Sequence, residues 1–186
     1  MIVLRRLRTW RWSRGVFALS FALALLGPTS ASADEPSAEE RIKAAILFKL
    51  TQFVEWPEAH DPGCAEGNFQ VCVFASATAQ AAIAELAGKR IGQRSLTIVA
   101  GIEHTKTDCC SLIYFSPSAD SLEAVLAQGV LTVSDEEGFC ERGGIVELVR
   151  KRNKLRFRIN LEAAERAGLR LSSQLLKVAD IVKGTS

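Results

Sequence analysis

Histidine is scarce in this sequence. Its 186 residues hold two, His60 and His104, far from each other and from any paired carboxylates, and its five cysteines include no C-x-x-C. That leaves no ligand set for a structural or catalytic metal. Glycine-rich phosphate cradles are missing as well. The first strand-like run leads into "ASATAQ" (Ala75–Gln80), which carries neither a G-x-G-x-x-G nor a Walker A pattern, so no nucleotide cofactor is expected. Internal repeats and low-complexity tracts are absent. So is any apolar run long enough to cross a bilayer as a helix: "VFALSFALALL" (Val16–Leu26) has the length of a secretory h-region and falls short of the ~20 residues a span needs.

What is present at the N-terminus reads as an export signal. Arg5, Arg6, Arg8, Arg11 and Arg14 form a basic leader with no acidic residue before Val16–Leu26. Ala31 and Ala33 then supply an A-x-A site, which predicts cleavage after Ala33 and a mature chain from Asp34. No cysteine stands at that junction to take a lipid. The Arg5–Arg6 pair lacks twin-arginine surroundings, so general secretion into the periplasm is expected. Losing five of the 23 basic residues leaves 18 against 21 acidic ones and moves the formal charge from +2 to −3. A slightly acidic chain without clustered Lys and Arg gives no nucleic-acid footprint. Residues 34–186 suit one domain with a real core.

Export puts all five cysteines, Cys64, Cys72, Cys109, Cys110 and Cys140, in a compartment where disulfides persist. Cys72 lies in the apolar run Phe69–Ala75, and Cys110 opens Ser111–Phe115. If extended, Cys109 and Cys110 point to opposite sides and serve two partners rather than each other. Pairing Cys72 with Cys110 and Cys64 with Cys109 would use four and leave Cys140 free. Any full pairing leaves one thiol over.

Helical spacing over Glu39–Val54 (Ile42, Ile46, Leu50 and Phe53, joined by Leu47 and Val54) predicts a first helix. Pro57 stops it, with Trp56 capping its end in "LTQFVEWPE" (Leu50–Glu58). A loop at Ala59–Asn68 follows. Strand patterns at Phe69–Ala75, Ser95–Ala100, Ser111–Phe115 and Val130–Ser134 alternate with helical ones at Ala77–Ala87 and Ser118–Gln128, which argues for a parallel sheet. Ile145–Val149 and Leu155–Ile159, around a polar turn at Lys151–Lys154, read as an antiparallel hairpin. Asn160 should cap a helix Leu161–Ala167 that Gly168 ends. Ser172 or Ser173 should cap a last helix with Leu175, Leu176, Ala179 and Val182 on one face. The expected fold is α/β: a single three-layer Rossmann-like domain, a mixed sheet with a mostly parallel core plus the C-terminal hairpin, and helices on both faces.

Few residues suggest chemistry. Cys140 in "GFCERGG" (Gly138–Gly144) could be a nucleophile only with a base, and nothing places either histidine beside it. The triplet Asp135–Glu136–Glu137 reads as a helix N-terminus, where negative charge is favoured, before it reads as a ligand site. Gly143 and Gly144 fit a turn or a close backbone approach. Phe53 and Trp56 fit core packing, Trp56 keeping some chance of facing a partner.

Three segments together carry a family resemblance: "KAAILFKLTQFVEWP" (Lys43–Pro57), "VLTVSDEEGFCERGG" (Val130–Gly144) and "NKLRFRINLEAAERAGLRLSSQLLKVA" (Asn153–Ala179). The chain resembles the periplasmic YfiR/HmsC-like proteins over almost its whole mature length. The resemblance implies no catalysis. It implies a dimeric regulator that represses an inner-membrane diguanylate cyclase through that enzyme's periplasmic part, and that is released by an outer-membrane lipoprotein or by redox stress. It also implies a disulfide between Cys72 and Cys110. Cys140 matches one half of a second family disulfide, but the partner expected about seven residues on falls near Glu147, a departure that argues against a simple copy of that redox switch. Cys64 and Cys109 are additional. Two other functions compete with cyclase repression: a small-ligand-binding accessory module of a periplasmic sensory or TonB-dependent uptake system, and a thiol-dependent enzyme.

Overall fold

A computed structural model describes residues 35–56, 68–100, 107, 109–116, 129–152 and 154–183, all inside one compact unit, Ala33–Ser186. The expected signal segment, Cys64, both histidines, Pro57 and the helical pattern Ser118–Gln128 lie outside the described residues.

The chain enters through α1 (Ala38–Leu50), started by a capping box in which the Ser37 hydroxyl accepts from the Glu40 N–H and the Glu40 carboxylate accepts from the Ser37 N–H. It continues through β1 (Val54–Glu55), β2 (Asn68–Phe74), α2 (Ala77–Ala84), β3 (Arg90–Ile91), β4 (Arg94–Ala100), β5 (Leu112–Phe115) and β6 (Leu131–Ser134). The last third holds β7 (Val146–Lys151), β8 (Lys154–Asn160), α3 (Leu161–Arg166), β9 (Arg170–Leu171), α4 (Ser173–Leu176) and β10 (Asp180–Val182). One eight-stranded sheet runs in the order β10-β8-β7-β6-β5-β2-β4-β3. The five strands from β4 to β7 are mutually parallel, β8 returns antiparallel beside β7, and β3 pairs antiparallel with β4. The fold is thus a mixed α/β domain on a mostly parallel sheet.

Alternation along the strands divides the interior in two. Phe69, Val71 and Val73 of β2, Leu112 of β5, Leu131 and Val133 of β6 and Ile159 of β8 join Leu47 and Leu50 of α1 and Ile83 of α2 in one aliphatic cluster. Cys72, Ile113 and Phe115, with the same strands' opposite parity, form a second cluster with Cys110, Val130 and Phe139. Buried residues from all four described helices belong to the first cluster.

Several local expectations are corrected. The first helix ends at Leu50 with Thr51 as its cap, not at Val54. Thr51 Oγ1 donates to the Phe48 carbonyl, and Gln52 and Phe53 close tight turns onto Lys49 and Leu50. Val54 then pairs with Leu171 in a two-stranded ribbon that the sequence pattern hides. The buried stripe of α1 is Ala44, Leu47 and Leu50, while Ile42 is 52% exposed. Burial of Leu47 and Leu50 sets that rotation, and Lys43, on the same side, reaches Asp135 at 2.7 Å. The last helix is a single turn: Val182 sits in edge strand β10 beside β8, and of the four residues expected on one helical face only Leu175 is buried. α2 stops at Ala84 rather than Ala87, and Gly92, at φ 59°, turns the chain between β3 and β4. The Asp135–Glu137 triplet begins no helix; it opens a turn in which the Glu136 N–H donates to Ser134 Oγ.

Candidate functional site

The non-aliphatic face of the sheet concentrates the sulfur and the buried charge. Cys72, in mid-β2, and Cys110, two residues before β5, are joined by a disulfide with Cα atoms 5.8 Å apart. β2 and β5 are parallel neighbours with Cys72 opposite Ile113, and a turn closed by the Cys110 N–H donating to the Thr107 carbonyl brings Cys110 back to Cys72. Both cysteines are fully buried. Cys109 is disulfide-bonded as well, so the two consecutive cysteines serve two different bridges; the expected pairing with Cys64 lies outside the described residues. Beyond the Cys72–Cys110 bridge, Phe74 stacks on Phe115 at 5.4 Å, and Phe115 meets Phe139 at 6.1 Å.

Phe139 and Cys140 belong to a tight loop, residues 135–144, that crosses this face. Gly143 has φ 101°, a left-handed conformation that a side chain would strain. At Gly144 a Cβ would come within 2.1 Å of the Phe139 ring, so only glycine lets backbone and ring touch. The loop is tied down by polar groups. The Cys140 N–H donates to Glu147 Oε2 (3.1 Å), and Asn160 Nδ2 donates to the Cys140 carbonyl (2.9 Å). Asn160 Oδ1 meanwhile accepts from the Ala163 N–H and caps α3.

Glu147 has no exposed surface and stands directly across the β7–β8 hairpin from Arg158, whose Nη1 donates to Oε1 at 3.2 Å and to Oε2 at 3.4 Å. Glu141 takes the other Arg158 nitrogen. A buried carboxylate without a cation would be costly; here it has one, together with a backbone donor. The Cys140 thiol lies 3.5 Å from the Ile145 and Arg158 carbonyls. Burial pushes it up to about 12, and the neighbouring Glu147 carboxylate adds to the shift. A thiol held protonated in this way is a poor nucleophile; Cys140, a free and buried cysteine, packs and hydrogen-bonds here.

Trp56 is not the cap of a helix, because α1 ended six residues earlier. It leaves β1 half-buried, its indole Nε1 donates to the Ser111 carbonyl at 3.2 Å, and its ring meets Phe69 edge-on at 4.9 Å. Phe53 is half-buried against the aliphatic cluster. Both residues are tied to packing, and neither meets the Cys140 loop.

Sequence reasoning missed the Glu147–Arg158 pair, although the signal was there. A turn spanning Lys151–Lys154 places 147 opposite 158, and an acidic residue inside "IVELV" facing a basic one inside "FRI" is the mark of a buried cross-strand pair. It also missed the polar rim at the carboxyl ends of β5 and β6, where Lys43, Ser116 and Asp135 meet. Among the described residues no group of three or more His, Cys, Asp or Glu is placed to hold a metal, and no helix is long and apolar enough to cross a membrane. A family model described as YfiR/HmsC-like matches residues 40–180.

Proposed function

The chain belongs to the YfiR/HmsC-like family, and from that membership we propose that it is a periplasmic, non-enzymatic regulator that represses an inner-membrane diguanylate cyclase by binding the cyclase's periplasmic part. The observation that carries this reading is the extent of the family match, which takes in α1, the Cys140 loop and the β7–β8 hairpin together. The protonated, enclosed Cys140 thiol fits a protein that binds rather than reacts. A mostly parallel sheet with a C-terminal hairpin fits the Rossmann-like three-layer domain proposed for the exported chain 34–186.

Repression in this reading is a population shift. The protein binds the inactive form of the cyclase's sensor domain better than the active form, and the ratio of the two affinities sets how far output falls. The disulfides maintain the binding-competent fold, so reducing them weakens repression without any chemistry at a site. A homodimer is the proposed binding unit, and capture by an outer-membrane lipoprotein the proposed release. Deleting the gene and measuring cellular cyclic-di-GMP tests the core of this reading. A rise, reversed by the intact gene, is expected; an unchanged level would overturn it.

A further inference from the structure

The expectation of a chain without clustered Lys and Arg fails at the tip of the β7–β8 hairpin. Residues 150–156 read "RKRNKLR", five cations with no acidic residue. From residue 34 onward the chain has 18 basic and 21 acidic residues; taking these five away leaves 13 basic against 21, so the positive charge is concentrated at one end of an otherwise acidic domain. That end also projects. β6 pairs only with Val146 and Glu147 of β7, and β10 only with Arg158–Asn160 of β8, so residues 148–157 extend past both neighbouring strands. Lys151 pairs with Lys154 and Val149 with Arg156, which puts Lys151, Lys154 and Arg156 on one face of the hairpin, with Arg150 on the other and Arg152 at the turn. All five are exposed.

The fold does not neutralise this charge. Arg150 meets Glu39, and Lys151 stands 3.8 Å from Asp180, but among the described residues no acidic side chain pairs with Arg152, Lys154 or Arg156. Two local costs are carried as well. Lys151 and Lys154 are like charges directly opposite each other, an unfavourable cross-strand pair. Arg152, at φ 51°, is the one non-glycine residue with positive φ among the described residues, in a conformation that glycine or asparagine adopts more cheaply. An apolar group accompanies the cations: Val178, 60% exposed, is two residues from Asp180, the partner of Lys151. Cations on both faces and at the turn of a projecting end match an extended anionic plane, whereas a folded acidic protein would have to wrap around the tip to meet them all. We propose that the tip of the β7–β8 hairpin docks on a bilayer surface bearing anionic phospholipid headgroups, with Val178 as an apolar contact beside it. The surface does not depend on cyclase repression.

Co-sedimentation of the exported protein at low salt with vesicles of mixed phosphatidylglycerol and phosphatidylcholine, and with vesicles of phosphatidylcholine alone, tests this. Binding to the first only is expected, and it should fade as added salt shortens the reach of exposed charges. At about fivefold per cation near an anionic surface, Arg152→Asn/Lys154→Gln/Arg156→Gln should bind about a hundredfold more weakly, with a melting temperature unchanged or higher. Lys49→Gln/Lys89→Gln/Arg90→Gln removes as many cations at and beside β3, the far edge of the sheet, and should bind as wild type does. Binding to neither vesicle, equal binding to both, or equal loss in the two triple variants would overturn the proposal. So would a clear fall in the melting temperature of the tip variant, which would make those cations structural. Preference for soluble poly-L-glutamate over the anionic vesicles would overturn it in favour of an acidic polypeptide partner.

Discussion

The two faces of the central sheet are built on different principles. The face under α1 and α2 is a continuous aliphatic layer, held by non-directional burial that tolerates exchange of one apolar residue for another of similar volume. The other face holds a disulfide, stacked aromatics, a protonated thiol and a buried ion pair, all of which depend on particular partners at particular distances. Side-chain parity along the same strands separates the two, so one sheet carries a forgiving layer and an exacting one. Damage to the second should therefore cost more per atom changed than damage to the first.

The largest effect is expected from removing the bridge. The Cys72→Ser/Cys110→Ser variant opens a loop with a sequence separation of 38, which on chain entropy alone costs at most about 4 kcal/mol, read from urea unfolding, the bridge at Cys109 still restraining the unfolded chain. Equal stability in the variant would break the comparison at its strongest point. Next comes Arg158→Met, which strands the fully buried Glu147. It should cost about 3 kcal/mol, toward the lower end for broken buried pairs because Arg158 is partly exposed, whereas Glu147→Leu/Arg158→Met together should recover most of that loss. Gly144→Ala forces the loop off Phe139 and should cost about 2 kcal/mol, with loss of near-ultraviolet circular dichroism from the displaced ring.

The aliphatic face supplies the contrast. Leu112→Met, fully buried there, should cost about 1 kcal/mol or less in the same unfolding measurement. The smallest effect is electrostatic and belongs to the α1 start. The Thr78 hydroxyl and the Ser37 N–H hold Glu40 below its ordinary value of 4.5. A depressed folded-state pKa stabilises above the unfolded value and is lost as pH falls through the folded one. Melting temperatures of wild type and Glu40→Gln should therefore converge as pH drops below about 4.5. A gap that stays constant down to the acid limit would assign the effect to packing.

How much could be read from sequence follows the same division. The parallel strands and the hairpin were legible because period-two burial needs only local spacing, and four or more residues show it. The ribbon β1–β9, strand β3 and edge strand β10 have two or three residues each, too few to display a period, so Val54 and Val182 were absorbed into neighbouring helices and Ile91 and Leu171 were assigned to no element. The face of α1 was misassigned for another reason. Ile42 fits a helical stripe as well as Ala44 does, and what separates them is packing against the sheet, where Lys43 also reaches Asp135, 92 residues away. In the candidate site, Cys72 and Cys110 could be named from their strand positions and the family resemblance, while the odd cysteine count left one thiol over without naming it. The environment of Cys140 could not, because it comes from Glu147 and Asn160, which only the folded hairpin and the start of α3 bring to the loop.

The Glu147–Arg158 pairing also carries information that a stability measurement would not show. β7 and β8 have apolar residues on one side over much of their length, so a hairpin shifted by one position could still find greasy neighbours. In such a shift Glu147 would turn toward the aliphatic layer between the sheet and the helices, with no cation opposite it. The cost of that charge removes the alternative. The pair thus works as a register key, and its replacement by two apolar residues should yield a protein nearly as stable as wild type but less certain of which strand alignment to adopt.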